Sequence, residues 1–251
     1  IQIGANAGPS TDGIDIDSCN GAVIRRCRIT CNDDSICLKA GRDSDGLRVN
    51  RVCENIEISD CDLGVGAGIT LGSETSGGIR NVYIHDCRYD STSCGFRIKS
   101  ARTRGGLLEK IRVENLFMVN VREPFSFDLN WNPSYSYCEI PKDYDGVIPE
   151  YWHVMATRVP EELGIPAVRD IEIRGVTATI TPEYQGKSYA FLIHAYPEKP
   201  IENIRMKDVS ITAKEYGSVD NIRNWTMKNV QITTCQIPEN PSGFDPLAPG
   251  L

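Results

Sequence analysis

Apolar and polar positions alternate along most of the chain, in blocks of about ten residues that each close on a turn. Seven such blocks recur: NGAVIRRCRI from Asn20, ENIEISDCDL from Glu54, RNVYIHDCRY from Arg80, EKIRVENLFM from Glu109, RDIEIRGVTA from Arg169, ENIRMKDVSI from Glu202 and RNWTMKNVQI from Arg223. Shorter alternating runs lie between them, GIDID, SICLKAG, GITLGSE and GFRIKS, bounded by Gly, Asn, Asp or Ser. A period of two with turn residues at its ends predicts strands. No stretch keeps a 3.6-residue period long enough for a helix, apart from a single turn near Pro160 to Leu163. Successive blocks start 34, 26, 29, 60, 33 and 21 residues apart, the variable period of stacked coils with loop insertions. The pattern predicts an all-β fold, a right-handed parallel β-helix with two or three short strands per coil. A β-sandwich is the runner-up, and the in-register repeats count against it.

The widest gap is expected to hold a long loop, about 123–166. Eight of the 19 aromatics fall there: Phe125, Phe127, Trp131, Tyr135, Tyr137, Tyr144, Tyr151 and Trp152. They are expected either to pack on one another or to stack on sugar rings. Chain length and composition, 251 residues with 40% hydrophobic and 24% charged, exclude a disordered chain, and no apolar run is long enough to span a bilayer. A net charge of -7 argues against general phosphate-backbone binding. Cys27, Cys61 and Cys87 hold equivalent places in three blocks and are expected to form a buried row of thiols rather than bridges. The three histidines, His85, His153 and His194, lack the paired spacing of a zinc site.

Four motifs fall on four successive coils: Ser10-Thr11-Asp12, Asn32-Asp33-Asp34, Gly66-Ala67-Gly68 and Arg97-Ile98-Lys99. With strands about 4.8 Å apart, the row spans roughly 14 Å, room for a few sugar units. Asp33 and Asp34 reach the same groove only if Cys31 to Ser35 leaves ideal strand geometry. Crowded carboxylates raise at least one pKa, which separates a general acid from a general base. Inverting glycosidases place these groups about 6.5 to 9.5 Å apart, compatible with one or two coil spacings. Arg97 and Lys99, two apart on a strand, share a face and suit a sugar carboxylate. Asp15 and Asp17 are read as exterior charges or turn stabilisers, and Glu74 as a possible further groove carboxylate. Each motif alone is ordinary surface chemistry; their order is what points to a site.

STDGIDID, NDDSICLKAG, GAGITLGSE and GFRIKS together resemble glycoside hydrolase family 28, the polygalacturonases and their pectin-degrading relatives. The motif match runs from Gly8 to about Ser100, and repeat-like coils continue to about Thr234. The resemblance implies a single-stranded, pectin-lyase-like β-helix that hydrolyses pectin linkages with inversion and needs no metal or cofactor. It implies that Asp33 is the general acid, that Asp12 with Asp34 activates water, and that Arg97 and Lys99 bind a galacturonate carboxylate. It further implies a pectic polysaccharide or oligosaccharide as partner, no nucleic acid or membrane, a monomer, and a secreted or periplasmic location.

Two departures stand out. Ser10 replaces the family's usual Asn, which keeps the motif's carboxylate. Ala67 replaces the histidine of Gly-His-Gly, and with it the imidazole that tunes the acid. A rhamnose methyl is a candidate neighbour for Ala67, so rhamnogalacturonan is the preferred polymer and homogalacturonan the alternative. Family members also carry coils before the first catalytic Asp, so residues 1–251 are expected to form one β-helix domain lacking the N-terminal coils of a longer enzyme. A calcium-dependent β-helix lyase and a non-catalytic carbohydrate-binding solenoid are the readings of another class.

Overall fold

The structure, a computed structural model, describes residues 1–4, 8–133 and 138–235. Each ten-residue block begins as a strand: Asn20–Arg25, Cys53–Ser59, Ile79–His85, Leu107–Glu114, Ala167–Thr179, Ile201–Ala213 and Ile222–Thr234. All pair in parallel, and their register stacks one apolar position into a column, Ile24, Ile58, Ile84, Val113, Ile173, Met206 and Met227. The chain winds as a right-handed parallel β-helix, the handedness that parallel crossovers favour. Its interior is a continuous apolar cluster running from Ile24 to Ala213.

Each block turns at a residue with a left-handed backbone: Arg26, Asp60, Asp86, Asn115, Gly175, Asp208 and Asn229, with φ between 52° and 64°. Asn, Asp and Gly tolerate that region best, which explains why these types recur before the second apolar pair of the block. The next residue points inward, and Cys27, Cys61 and Cys87 form the buried row expected of them. All ten cysteines are free thiols. Side-chain amides climb the corners between coils, from Asn115 to Asp86 at 3.1 Å and from Asn229 to Asp208 at 2.7 Å. A second ladder joins Asn81 to Asn55 and Asn55 to Asn20.

The short alternating runs form a separate seven-stranded sheet: Ile14–Asp17, Ile36–Lys39, Ile69–Leu71, Cys94–Lys99, Glu123–Asp128, Tyr189–His194 and Glu215–Asp220. Ile36, Ile69, Phe96, Phe125 and Phe191 stack inward in register. The alternate residues therefore project from the outer face, and that face carries the site.

The stretch 123–166 opens as a strand rather than a loop, and Phe125 and Phe127 belong to the core. Tyr144 and Trp152 pack on each other with centroids 5.0 Å apart, while Tyr135 and Tyr137 lie outside the described residues. The expected turn near Pro160 is the helix Glu161–Gly164. Two helices were not legible, Asp43–Val49 and Glu150–Ala156, joined where Ser44 Oγ donates to the Val154 carbonyl at 2.7 Å. Two turns are too short to display a 3.6-residue period, and Gly46 within the first speaks against a helix. Gly46 is there because an added Cβ would lie 2.5 Å from the Gly41 carbonyl carbon. No described helix is long and apolar enough to cross a membrane.

Candidate active site

Asp12 lies just before the strand Ile14–Asp17, and Asp33 and Asp34 just before Ile36–Lys39. Between Cys31 and Ser35 the backbone is irregular, bending at Asn32, Asp33 and Ser35, so neighbouring carboxylates escape the alternation of a strand. The bend is tied down on both sides. Gly13 N–H donates to the Asp34 carbonyl at 2.8 Å, Ala67 N–H to the Asp33 carbonyl at 2.7 Å, and Asp34 N–H to Asp12 Oδ1 at 3.2 Å. Gly68, with φ +64°, packs so closely that a Cβ would lie 2.2 Å from the Cys94 carbonyl oxygen. That contact locks the Gly66-Ala67-Gly68 turn onto the next coil.

One oxygen from each of Asp12, Asp33 and Asp34 lies within 4.8 Å of the others. This is closer than the 6.5 to 9.5 Å separation anticipated for inverting carboxyls. The tight bend brings Asp33 and Asp34 together, and the Asp34 N–H draws Asp12 in. Such crowding requires compensation, and three cations supply it.

Asp34 is the most enclosed, its side chain 1% exposed. Its Oδ1 accepts from Thr70 Oγ1 at 2.6 Å and from Arg97 Nη2, and its Oδ2 lies 2.8 Å from Lys99 Nζ. Burial pushes its pKa up, but Arg97 and Lys99 outweigh burial and hold the carboxyl below its ordinary range. Asp12 is shifted the other way, to about 6, chiefly by burial and then by the charges of Asp34 and Asp15, against the pull of Lys39. Asp33 is the carboxylate most open to a ligand, 33% exposed, with Arg97 Nη2 at 3.9 Å. The three carboxylates thus differ in exposure and in the charges around them.

The structure brings all five anticipated residues together, with Arg97 and Lys99 turned onto Asp34. Arg97 also donates through Nε to Thr70 Oγ1 at 3.1 Å. Lys99 Nζ sits 4.7 Å from the centroid of Trp131, the one described aromatic of the long stretch placed against this cluster. Ala67 is 6% exposed, so the position of the family's histidine offers little side-chain surface.

Two residues of the cluster were missed. Lys39 Nζ lies 3.5 Å from Asp12, 3.6 Å from Asp15 and 3.4 Å from Glu74. Thr70 holds Asp34 from the neighbouring strand. Both were available from the alternation that placed Arg97 and Lys99 on one face, since Lys39 and Thr70 sit beside inward Leu38, Ile69 and Leu71. Asp17 proves to be a turn stabiliser, accepting from Ser18 Oγ and Gly41 N–H. Glu74 does join the cluster, through Lys39. Burial opposes its ionisation, and Lys39 and Arg104 more than offset that. With Lys39, Arg97 and Lys99 already paired to the carboxylates, the donor set is balanced by protein cations. Both Asp34 oxygens in particular are engaged, a poor fit for a metal-binding carboxylate.

The sequence model of the glycosyl hydrolases family 28 matches residues 1–147. An endo-polygalacturonase from Pectobacterium parmentieri is 28% identical over 223 residues, 89% of this chain and 44% of the relative. A probable polygalacturonase from Vitis vinifera is 35% identical over 119 residues, 47% of this chain and 24% of the relative. The crystal structure of a hyperthermoactive exopolygalacturonase from Thermotoga maritima superposes with a TM-score of 0.69 at 27% identity, over 90% of this chain and 45% of that one. The chain spans less than half the length of the Pectobacterium and Thermotoga proteins. The family model covers more than half of the chain and takes in every residue of the carboxylate cluster, so this chain belongs to glycosyl hydrolase family 28.

Proposed function

We propose that the protein is an inverting hydrolase of the pectin backbone. The observation that carries this reading is the trio Asp12, Asp33 and Asp34, packed within 4.8 Å yet set in three different environments by Lys39, Arg97 and Lys99. Asp33, the most accessible, protonates the departing glycosidic oxygen. Asp12 and Asp34 hold the attacking water between them, and Asp12 takes its proton. A carboxylate with a pKa near 6 is a stronger base than an ordinary one and is still ionised at neutral pH. Asp34 stays ionised through its cations and fixes the geometry.

Arg97 keeps further guanidinium donors beyond those given to Asp34 and Thr70, and these face an acidic sugar beside the scissile bond. Trp131 offers its ring to a sugar on the Lys99 side. Rhamnogalacturonan is the proposed polymer, on the ground that Ala67 stands where the family's polygalacturonases carry a histidine. A secreted or periplasmic location follows from a polymeric substrate. The test is reducing-end release on rhamnogalacturonan I and on polygalacturonate, with Asp33→Asn as control. Release from the first alone, lost in the variant, is expected. Equal release from both overturns the polymer assignment, and release that survives Asp33→Asn overturns the acid. Product absorbance near 230 nm that is lost on chelation identifies a lyase instead.

A further inference from the structure

The outer face of the seven-stranded sheet continues past Lys99. Register carries Arg97 to Ser126, Leu192 and Ser218, and Lys99 to Asp128, His194 and Asp220. On the last two of these strands His194 Nδ1 lies 2.9 Å from Asp220 Oδ2, and His194 Nε2 lies 2.9 Å from Ser218 Oγ. An ionised carboxylate only accepts, so the ring proton resides on Nδ1 and Nε2 offers its lone pair to the Ser218 hydroxyl. Hydroxyl, Nε2, Nδ1, carboxylate is the order in which a serine is made nucleophilic, and such sites are recognised by geometry rather than by fold or position in sequence.

Three further features suit this chemistry. Asp128 flanks His194 from the neighbouring strand, in register with it, so the imidazole lies between two carboxylate-bearing positions. Among the described residues, the strand Glu215–Asp220 pairs only with Tyr189–His194. An edge strand leaves alternate N–H groups unpaired, the donors that a developing oxyanion needs. The centre is also open, with the side chains of His194 and Asp220 40% and 62% exposed, so an ester on a polymer reaches it without a pocket having to admit the whole chain. Water weakens the His194–Asp220 bond relative to a buried triad, and slow turnover is expected.

We propose that Ser218, His194 and Asp220 form a second catalytic centre, one that hydrolyses carboxylic esters. It sits three strand spacings beyond Arg97, roughly 14 Å along the same face. A polysaccharide lying on that face brings its ester groups, methyl esters of acidic sugars or O-acyl groups, to this point. That substrate class rests on the proposed pectin reading; the nucleophile does not. Ser218 Oγ bonds to the ester carbonyl carbon while its proton passes to His194 Nε2. The tetrahedral adduct then breaks its bond to the leaving oxygen, which takes the proton and departs as an alcohol. Water repeats the sequence on the acyl-serine, and the products are one acid and one alcohol.

The test is labelling of the chain with a fluorophosphonate, which modifies only activated serines, followed by peptide mass spectrometry. An adduct on Ser218 is expected, slowed about tenfold or more in Asp220→Asn and abolished in His194→Gln. In Ser218→Ala, methanol release from methyl-esterified pectin is lost while reducing-end release from rhamnogalacturonan I is unchanged. Circular dichroism checks that these surface variants fold. Absence of an adduct on Ser218 in the wild-type chain, or an adduct that persists in folded His194→Gln, overturns the proposal. The probe requires no glycosidic cleavage, so its outcome is independent of whether the chain cuts pectin.

Discussion

Aspartates at the corners of the β-helix and aspartates in the groove are the same residue put to different physical use. Asp60, Asp86 and Asp208 sit at surface corners with φ between 52° and 55°, and two of them accept a hydrogen bond from an Asn on the next coil. Their value lies in a side chain that tolerates a left-handed backbone; charge is incidental. Asp12, Asp33 and Asp34 have no such backbone duty. They are crowded together, shielded from water to different degrees, and held by cations, Lys39 beside Asp12 and Arg97 with Lys99 on Asp34. Position along the coil therefore decides whether an Asp turns a corner or joins the cation-held cluster.

That contrast is most sharply broken at Asp34. Removing it by Asp34→Ala leaves buried Arg97 and Lys99 without their main counter-charge and is expected to cost about 3–5 kcal/mol, read as a lowered urea midpoint. Next is Lys39→Met, which withdraws the nearest cation from Asp12. The acid limb of the pH–rate profile, expected near 6, should move up by about one pH unit, a roughly tenfold loss of rate below the limb, with Lys39→Arg restoring it. The groups facing Asp12 in that experiment are Asp15, Asp33, Asp34 and Lys39.

Asp12→Asn should separate stability from function. The folded-state pKa of Asp12 is raised to about 6, so the native protein binds that proton more tightly than the unfolded chain. Its contribution is favourable at low pH and is lost as pH rises through 6. The Asn variant is therefore expected to be more stable than wild type at pH 7, by about 1 kcal/mol, with the gain gone below about pH 4, while sugar release disappears. Thermal melts at the two pH values check the sign. The smallest effect belongs to a corner. Asp86→Asn keeps an acceptor and the left-handed preference and should stay within about 0.5 kcal/mol of wild type, whereas a β-branched residue there is expected to cost about 1–2 kcal/mol.

The winding was legible because a β-helix writes its register into the sequence. Each block repeats the same alternation, and all but the first, which has Arg26, turn on an Asp, Asn or Gly at the same place, so the column from Ile24 to Met227 follows from aligning the repeats. Arg97 and Lys99 share a face for the same reason, while the carboxylates were singled out by the order of their motifs and by the family resemblance. Spacing inside the bend was not, since the bend between Cys31 and Ser35 abandons the period that made everything else readable. Pairing of Arg97 and Lys99 with Asp34 was also hidden, because outward direction does not specify which neighbour a long side chain chooses. The two short helices left no periodic trace. Lys39 and Thr70 could have been found, as both are outward positions in quoted motifs.

Asp33 as acid and Asp12 with Asp34 as water-activating pair are the central proposal, at separations shorter than inverting enzymes usually show. Proton NMR of the first product released from pectic oligosaccharide by the wild-type chain tests this most directly, read before mutarotation mixes the anomers. The new reducing end is expected to appear with the anomeric configuration opposite to that of the cleaved bond. First appearance of the retained anomer would contradict it and recast one of the three aspartates as a covalent nucleophile.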